Sequence, residues 1–407
     1  MTDGRAGQVQ RVFLHVGSPK TGTTFLQEVL WSQRRKAAEQ GVLLPLEKFA
    51  DHYLASLDVR GLSGRKEHPA RAVGIWGRLV EEARAWPGTT LVSHELFASA
   101  TAEQAADAIA SFGAGTEVHV VLTARDLVRQ IPAEWQEHVK HRSTKTLPEF
   151  VHDLRQDDEG TSWFWRVQDF GDVVARWGAT LPPSRVHVVT VPPAGADPGT
   201  LWHRFADLLG IDPDSFDTER SRANTSLGVE QAELLRRVNA GLGDRVQLPG
   251  PYPVVVKNVL AHRILAARKG TRLALDGEST QYAVRRSAEI AEQLERLDVH
   301  VVGDLGDLVP DSAAALATAG ADGYPEPAAE VLLAESVAAL AGLLDVMAAD
   351  RGLQRRYEEM VRELRRAPLR FVLLRASERR PLLMRARRLR RRGITLLQRP
   401  GRAGRTG

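Results

Sequence analysis

The run from Arg11 to Thr24, RVFLHVGSPKTGTT, constrains the fold more than any other part of this 407-residue chain. Val12, Phe13, Leu14 and Val16 make the short apolar run of a buried strand, and Gly17, Ser18 and Pro19 stop it. Gly22 then permits a close turn, and Thr23 and Thr24 stand where a helix opens. A strand that breaks into a tight loop and reopens as a helix aims free backbone N–H groups and the positive end of a helix dipole at one spot. With the Lys20 ammonium beside them, the segment Lys20, Thr21, Gly22, Thr23, Thr24 is predicted to hold a phosphate-like anion.

The spacing of Gly17 and Gly22 is that of a nucleotide-binding GxxxxGK[ST] loop, but Thr23 replaces the lysine after the second glycine, and Lys20 lies inside the loop. A magnesium-dependent NTPase also wants an acidic residue at the end of a neighbouring strand. The best later strand, Val118 to Thr123, runs instead into Ala124-Arg125. A guanidinium there suits a second phosphate, bound bidentately by charge rather than through a metal. Two anion sites fit a nucleotide phosphorylated at both ends of its ribose.

PKTGTT resembles the 5′-phosphosulfate loop of the sulfotransferases that use 3′-phosphoadenylyl sulfate (PAPS), and ARDLVRQIPAEW, Ala124 to Trp135, resembles their 3′-phosphate segment. RANTSLG, Arg222 to Gly228, resembles the late loop that closes over the nucleotide, and in all the resemblance covers residues 10 to 240. It implies a P-loop-like parallel α/β sheet with helices on both faces. It implies that Lys20 bridges the phosphosulfate, that Arg125 holds the 3′-phosphate and that Arg222 adds a contact. PAPS would be the co-substrate, with no metal. Ala133 stands where the family carries a serine.

Sulfuryl transfer to a hydroxyl or amine needs a general base. His94 and Glu95 follow a predicted strand, Thr89 to Ser93, at the carboxyl edge of the sheet, where open α/β sheets bind ligands. Side-chain alternation lets one of the two face the site. Glu95 is the first choice because S-x-E resembles the bacterial branch, and His94 is the reserve. The acceptor class is a small molecule, a carbohydrate or a lipid-linked hydroxyl. Two other readings stand beside this one: a P-loop kinase or NTPase, and a non-catalytic nucleotide-binding protein tethered by its tail.

The chain has no cysteine, so disulfides, thiolate metal sites and a cysteine nucleophile are excluded. No signal-like apolar core precedes the first strand, and no run is read as approaching spanning length, so a cytoplasmic protein is expected. Strand and helix alternate over 1–245, the nucleotide-binding domain. A helical continuation (246–302), a Gly/Asp/Ala/Pro-rich linker (303–328), a helix (329–367) and a basic tail (368–407) follow as an α-helical C-terminal extension. Residues 365–407 hold fifteen arginines and one acid, Glu378, so the rest of the chain is net acidic against a formal total of +4. The interleaved Leu, Phe and Met read as a basic amphipathic segment for an anionic membrane surface or nucleic acid, or as an unstructured basic terminus.

Overall fold

The computed structural model describes residues 10–157, 160–219, 226–248, 250–317, 319 and 326–366. Six strands form one sheet: β1 (Gln10–Gly17), β2 (Val42–Leu43), β3 (Thr89–Ser93), β4 (Thr116–Ala124), β5 (Val186–Thr190) and β6 (His300–Val302). Their order is β2-β3-β1-β4-β5-β6, and every pairing is parallel. β3 and β5 are buried along their whole length, as parallel strands covered on both faces must be.

Alternation along the strands builds the two layers. Phe13, Leu91, Val121 and Val189 enter one core with Leu26, Val29 and Leu30 of the helix α1 (Thr23–Ser32) and with Trp202 and Phe205 of the helix Thr200–Leu209. Helix Phe170–Gly178 packs against β4, and its buried Trp177 donates an indole N–H to the Phe97 carbonyl at 3.0 Å. The predicted α/β sheet is therefore the observed one.

Several boundaries move for reasons found elsewhere in the chain. The helix expected over 25–40 breaks at Gln33 into α1 and α2 (Arg34–Glu39). Gln33 spends its side-chain amide on the main chain of Asp217, donating at 2.9 Å and accepting at 3.0 Å. The helix expected over 164–177 breaks at Asp169. That carboxylate caps the second half through the Asp172 N–H at 3.1 Å and pairs with Arg286 at 2.7 Å. The stretch expected as helical continuation up to residue 302 ends in a strand, β6, whose three residues pair with β5. The expected linker contains the helix Ser312–Ala317 and a turn over Leu305–Leu308.

The described residues form two compact units, one ending at Ser336 and one beginning at Val337. β6 returns the chain after residue 245 to the sheet. A helix, Ala329–Arg366, opens at the end of the first unit and supplies what is described of the second. Within it Val337, Leu340, Leu344 and Met347 are exposed. The expectation that no run reaches spanning length does not hold. By length and composition alone Ala329–Ala349 is apolar enough to cross a membrane, with mean hydropathy 1.9, because alanines extend its Leu and Val residues on both sides of Glu335 and Asp345. The Arg-rich tail, 368–407, lies outside the described residues.

Candidate functional site

The loop after β1 sits where the strand order reverses, with β3 on one side of β1 and β4 on the other. Open α/β sheets bind ligands at such a switch point. Gly22, at φ 88°, precedes α1, and no side chain caps the helix, so its first-turn N–H groups remain for an incoming anion. Leu201 closes over Gly22: an added Cβ would lie 2.5 Å from Leu201 Cδ2. A Gly22→Ala protein should therefore lose about 1–3 kcal/mol of stability in urea denaturation, from the left-handed backbone and the overpacked contact together. An unchanged midpoint would contradict that reading.

A buried polar scaffold holds the loop from below. Thr123 Oγ1 donates to the Gly17 carbonyl at 2.9 Å, and the Ser18 N–H donates to the Thr123 carbonyl at 3.1 Å. Thr21, predicted to face the anion, has its hydroxyl 2.5 Å from the Ser18 carbonyl and 2.5 Å from Thr123 Oγ1, so that group belongs to the scaffold. His15 Nδ1 lies 2.7 Å from Ser93 Oγ and its Nε2 lies 3.3 Å from Thr123 Oγ1. Burial, against the pull of Glu95, lowers the His15 pKa to about 4, so the ring is neutral. Sequence reasoning passed over His15 and Thr123 and used Ser93 only as the first residue of S-x-E. Their one signal was polarity at the carboxyl ends of apolar strands.

Lys20 stands in the loop at φ 61° and pairs with Glu137 at 2.5 Å. Glu137 lies on α6 (Leu127–Lys140), as does Glu134 (helices α3, α4 and α5 are Asp51–Val59, Ile75–Ala85 and Ala102–Ala110). Burial alone would raise the Glu137 carboxyl, but Lys20, then Lys257 and Lys140, hold it well below the usual range. Glu134 behaves oppositely. Burial pushes it up to about 7, Lys20 opposes, and Glu137 adds to the rise. Glu134 accepts from Gln168 Nε2 at 3.1 Å, and the same amide donates to the Pro19 carbonyl at 3.0 Å, which also accepts from Gln130 at 2.5 Å. Two glutamines and a carboxyl thus fix the residue before Lys20.

Arg125 follows β4 and reaches back to the loop, its Nη1 donating to the Lys20 carbonyl at 3.1 Å. It is a half-buried cation with no ion-pair partner among the described residues, and its buried Nε has no hydrogen-bond partner. The neighbouring Asp126 is committed elsewhere, capping α6 through the Arg129 N–H at 2.9 Å and pairing with the Arg129 guanidinium. Burial, then Arg129, lowers the Arg125 pKa to about 10, which still leaves it charged at neutral pH. Arg125 and Arg129 line a cleft of about 790 Å³, completed by Lys269, Arg272 and the backbone around Gly228 and Gly270. Ala133, where a serine was expected, lines it too. The run Lys269–Gly270–Thr271–Arg272 escaped the sequence reading, although two cations around a glycine were a usable signal.

His94 and Glu95 diverge at the end of β3. His94 Nδ1 accepts the Leu96 N–H at 3.2 Å and its ring packs on Tyr53 at 5.4 Å. A neutral ring accepting at Nδ1 carries its proton on Nε2 and can only donate there. Burial lowers the His94 pKa, against the pull of Glu95, and keeps the ring neutral. Glu95 accepts from Gln27 of α1 at 3.4 Å, and its charge is felt by both His15 and Glu134. Thr23 and Thr24 open α1 as expected. Arg222 lies outside the described residues.

No protein-family model matches this chain, and no curated protein matches it. Among solved structures it is similar to a sulfotransferase from Alicyclobacillus acidocaldarius, at 14% identity and a TM-score of 0.41, over 70% of this chain and 94% of that one.

Proposed function

We propose that this chain is a sulfotransferase that moves a sulfuryl group from PAPS to a hydroxyl or amine of a small-molecule, carbohydrate or lipid-linked acceptor. One observation carries the reading: Arg125, a half-buried guanidinium without an ion-pair partner among the described residues, faces a basic cleft and touches the Lys20 loop. A partly desolvated guanidinium whose neighbouring carboxylate, Asp126, is paired elsewhere is better satisfied when an anion completes it. The loop and Arg125 together supply two anion positions, one for each phosphorylated end of the nucleotide.

In the proposed reaction the bond between sulfur and the nucleotide's phosphate oxygen breaks as the acceptor oxygen bonds to sulfur. Lys20 and the first-turn N–H groups of α1 stabilise the charge growing on the leaving phosphate. The acceptor's proton passes to Glu95, the one of the two adjacent residues with free acceptor capacity on a charged group. His94, held as a donor at Nε2, serves as a structural neighbour.

Calorimetric titration with adenosine 3′,5′-bisphosphate and with ADP, each with and without magnesium, tests the reading. Metal-independent binding that prefers the bisphosphate is expected, and Arg125→Ala should weaken it about 10- to 100-fold, the worth of charged hydrogen bonds. A preference for ADP with magnesium would favour the kinase or NTPase reading. Binding of both nucleotides without preference would favour the non-catalytic nucleotide-binding reading.

A further inference from the structure

We infer that the acceptor carries an anionic group, bound by Lys257 and Lys140 beside Lys20. The inference rests on the sulfotransferase reading, because it assigns the cations that the nucleotide does not need. Three lysines converge on Glu137: Lys20 at 2.5 Å, Lys257 at 2.8 Å and Lys140 at 3.9 Å. Among the described residues they share that one ion-pair partner. Glu134, the other carboxyl nearby, is pushed up by burial, and even fully ionised it would leave three lysines against two carboxylates. The cluster therefore holds more positive than negative charge.

The excess is built in. Lys140 is almost fully buried, and burial, then Lys20, lowers its pKa to about 8. Lys257 Nζ also lies 2.8 Å from His141 Nε2, and the same cations depress His141 and His262 after burial has done so. Lys257 rides on Pro253–Leu265, a π-helical run. Such windings recur at functional sites. Packing three lysines against one carboxylate is a repulsive arrangement that a second anion would relieve.

Location separates this cluster from the nucleotide's distal phosphate. Arg125 and Arg129 stand at the start of α6, whereas Glu137 and Lys140 stand in its last turn, about 15–20 Å along the axis from Leu127 at the usual rise per residue. Lys20, which pairs with Glu137 and whose carbonyl accepts from Arg125, lies between them. An acceptor whose hydroxyl meets the sulfuryl group at Lys20 would place a carboxylate, phosphate or sulfate of its own against Lys257 and Lys140.

The test uses the full chain saturated with adenosine 3′,5′-bisphosphate and titrated with inorganic phosphate as the probe. One further phosphate is expected to bind, with Lys257→Gln weakening it at least tenfold and leaving the bisphosphate Kd within twofold. In transfer assays glycerol 3-phosphate should exceed glycerol in kcat/KM by more than tenfold, and Lys257→Gln should erase the difference. No additional phosphate, or an equal loss of bisphosphate affinity in Lys257→Gln, would overturn the inference by assigning the lysines to the nucleotide. Phosphate binding that depends on Lys257 in a protein that binds no bisphosphate would retain an anion site and overturn its acceptor role, marking the failure of the sulfotransferase reading instead.

Discussion

Lys20→Ala is expected to lower sulfuryl transfer from PAPS about 10²- to 10³-fold, the usual cost of removing one preorganised charge from a developing oxyanion. The structure makes this a clean substitution. Glu137 keeps Lys257 at 2.8 Å and Lys140 at 3.9 Å, so losing Lys20 leaves no orphaned carboxylate. The loop's shape is held by Thr21, Thr123 and the clamp on the Pro19 carbonyl, none of which uses the Lys20 ammonium. Folding, followed by circular dichroism and thermal unfolding, should be nearly unchanged while the rate collapses. Lys20→Arg should recover part of the rate, since the charge returns with a different reach and shape. A Lys20→Ala protein at full rate would remove Lys20 from the mechanism, and with it the reason for reading the loop as a phosphosulfate site.

The second large effect is acid lability. His15 and His52 are buried with pKa values lowered from 6.5 to about 4, and His187 is lowered to about 3, in each case chiefly by burial. His187 adds repulsion from His119 and His300, whose rings stand against it at 2.8 Å between nitrogens. A histidine whose folded pKa lies below its unfolded one binds its proton more readily when the chain opens. Stability is therefore whole above pH 6.5 and falls as pH drops toward 4, by at most about 1.4 kcal/mol per pH unit for each fully buried ring. Glu134 acts in the opposite sense between its ordinary 4.5 and about 7, and offsets roughly one ring. The net of at least two rings, to which the lowered His94, His119, His138, His141 and His262 add in the same sense, should show as a steady decline in the urea midpoint from pH 6.5 to 4.5. His187→Gln should make that decline shallower, whatever it does to stability at pH 7.5. A flat profile over the same window would mean the rings are hydrated in solution.

Much of the sheet and half of the site were legible in consecutive residues. The strand over Thr89–Ser93 is the one expected, and β1 and β4 surround their predicted cores, because four or five apolar residues between breakers have few other fates. The tight loop between β1 and α1 was readable because its glycines, proline and threonines lie in one short segment. β6 was not readable: His300–Val302 is three residues long and becomes a strand only because β5 offers it an edge. The helix breaks at Gln33 and Asp169 were equally hidden, since each is made by a hydrogen bond or ion pair to a residue far along the chain.

The sequence by itself determined that this protein has a parallel α/β core with a tight strand–loop–helix turn carrying Lys20 after its first strand, since periodicity and loop chemistry are local. Only the tertiary structure decided which charges meet that loop. Arg125 touches the Lys20 carbonyl across 105 residues, Lys257 meets Glu137 across 120, and Lys269 and Arg272 line the same cleft as Arg125. Strand order brings these groups together, and strand order is set by which apolar faces can be buried at once, a property of the whole chain that no single segment carries.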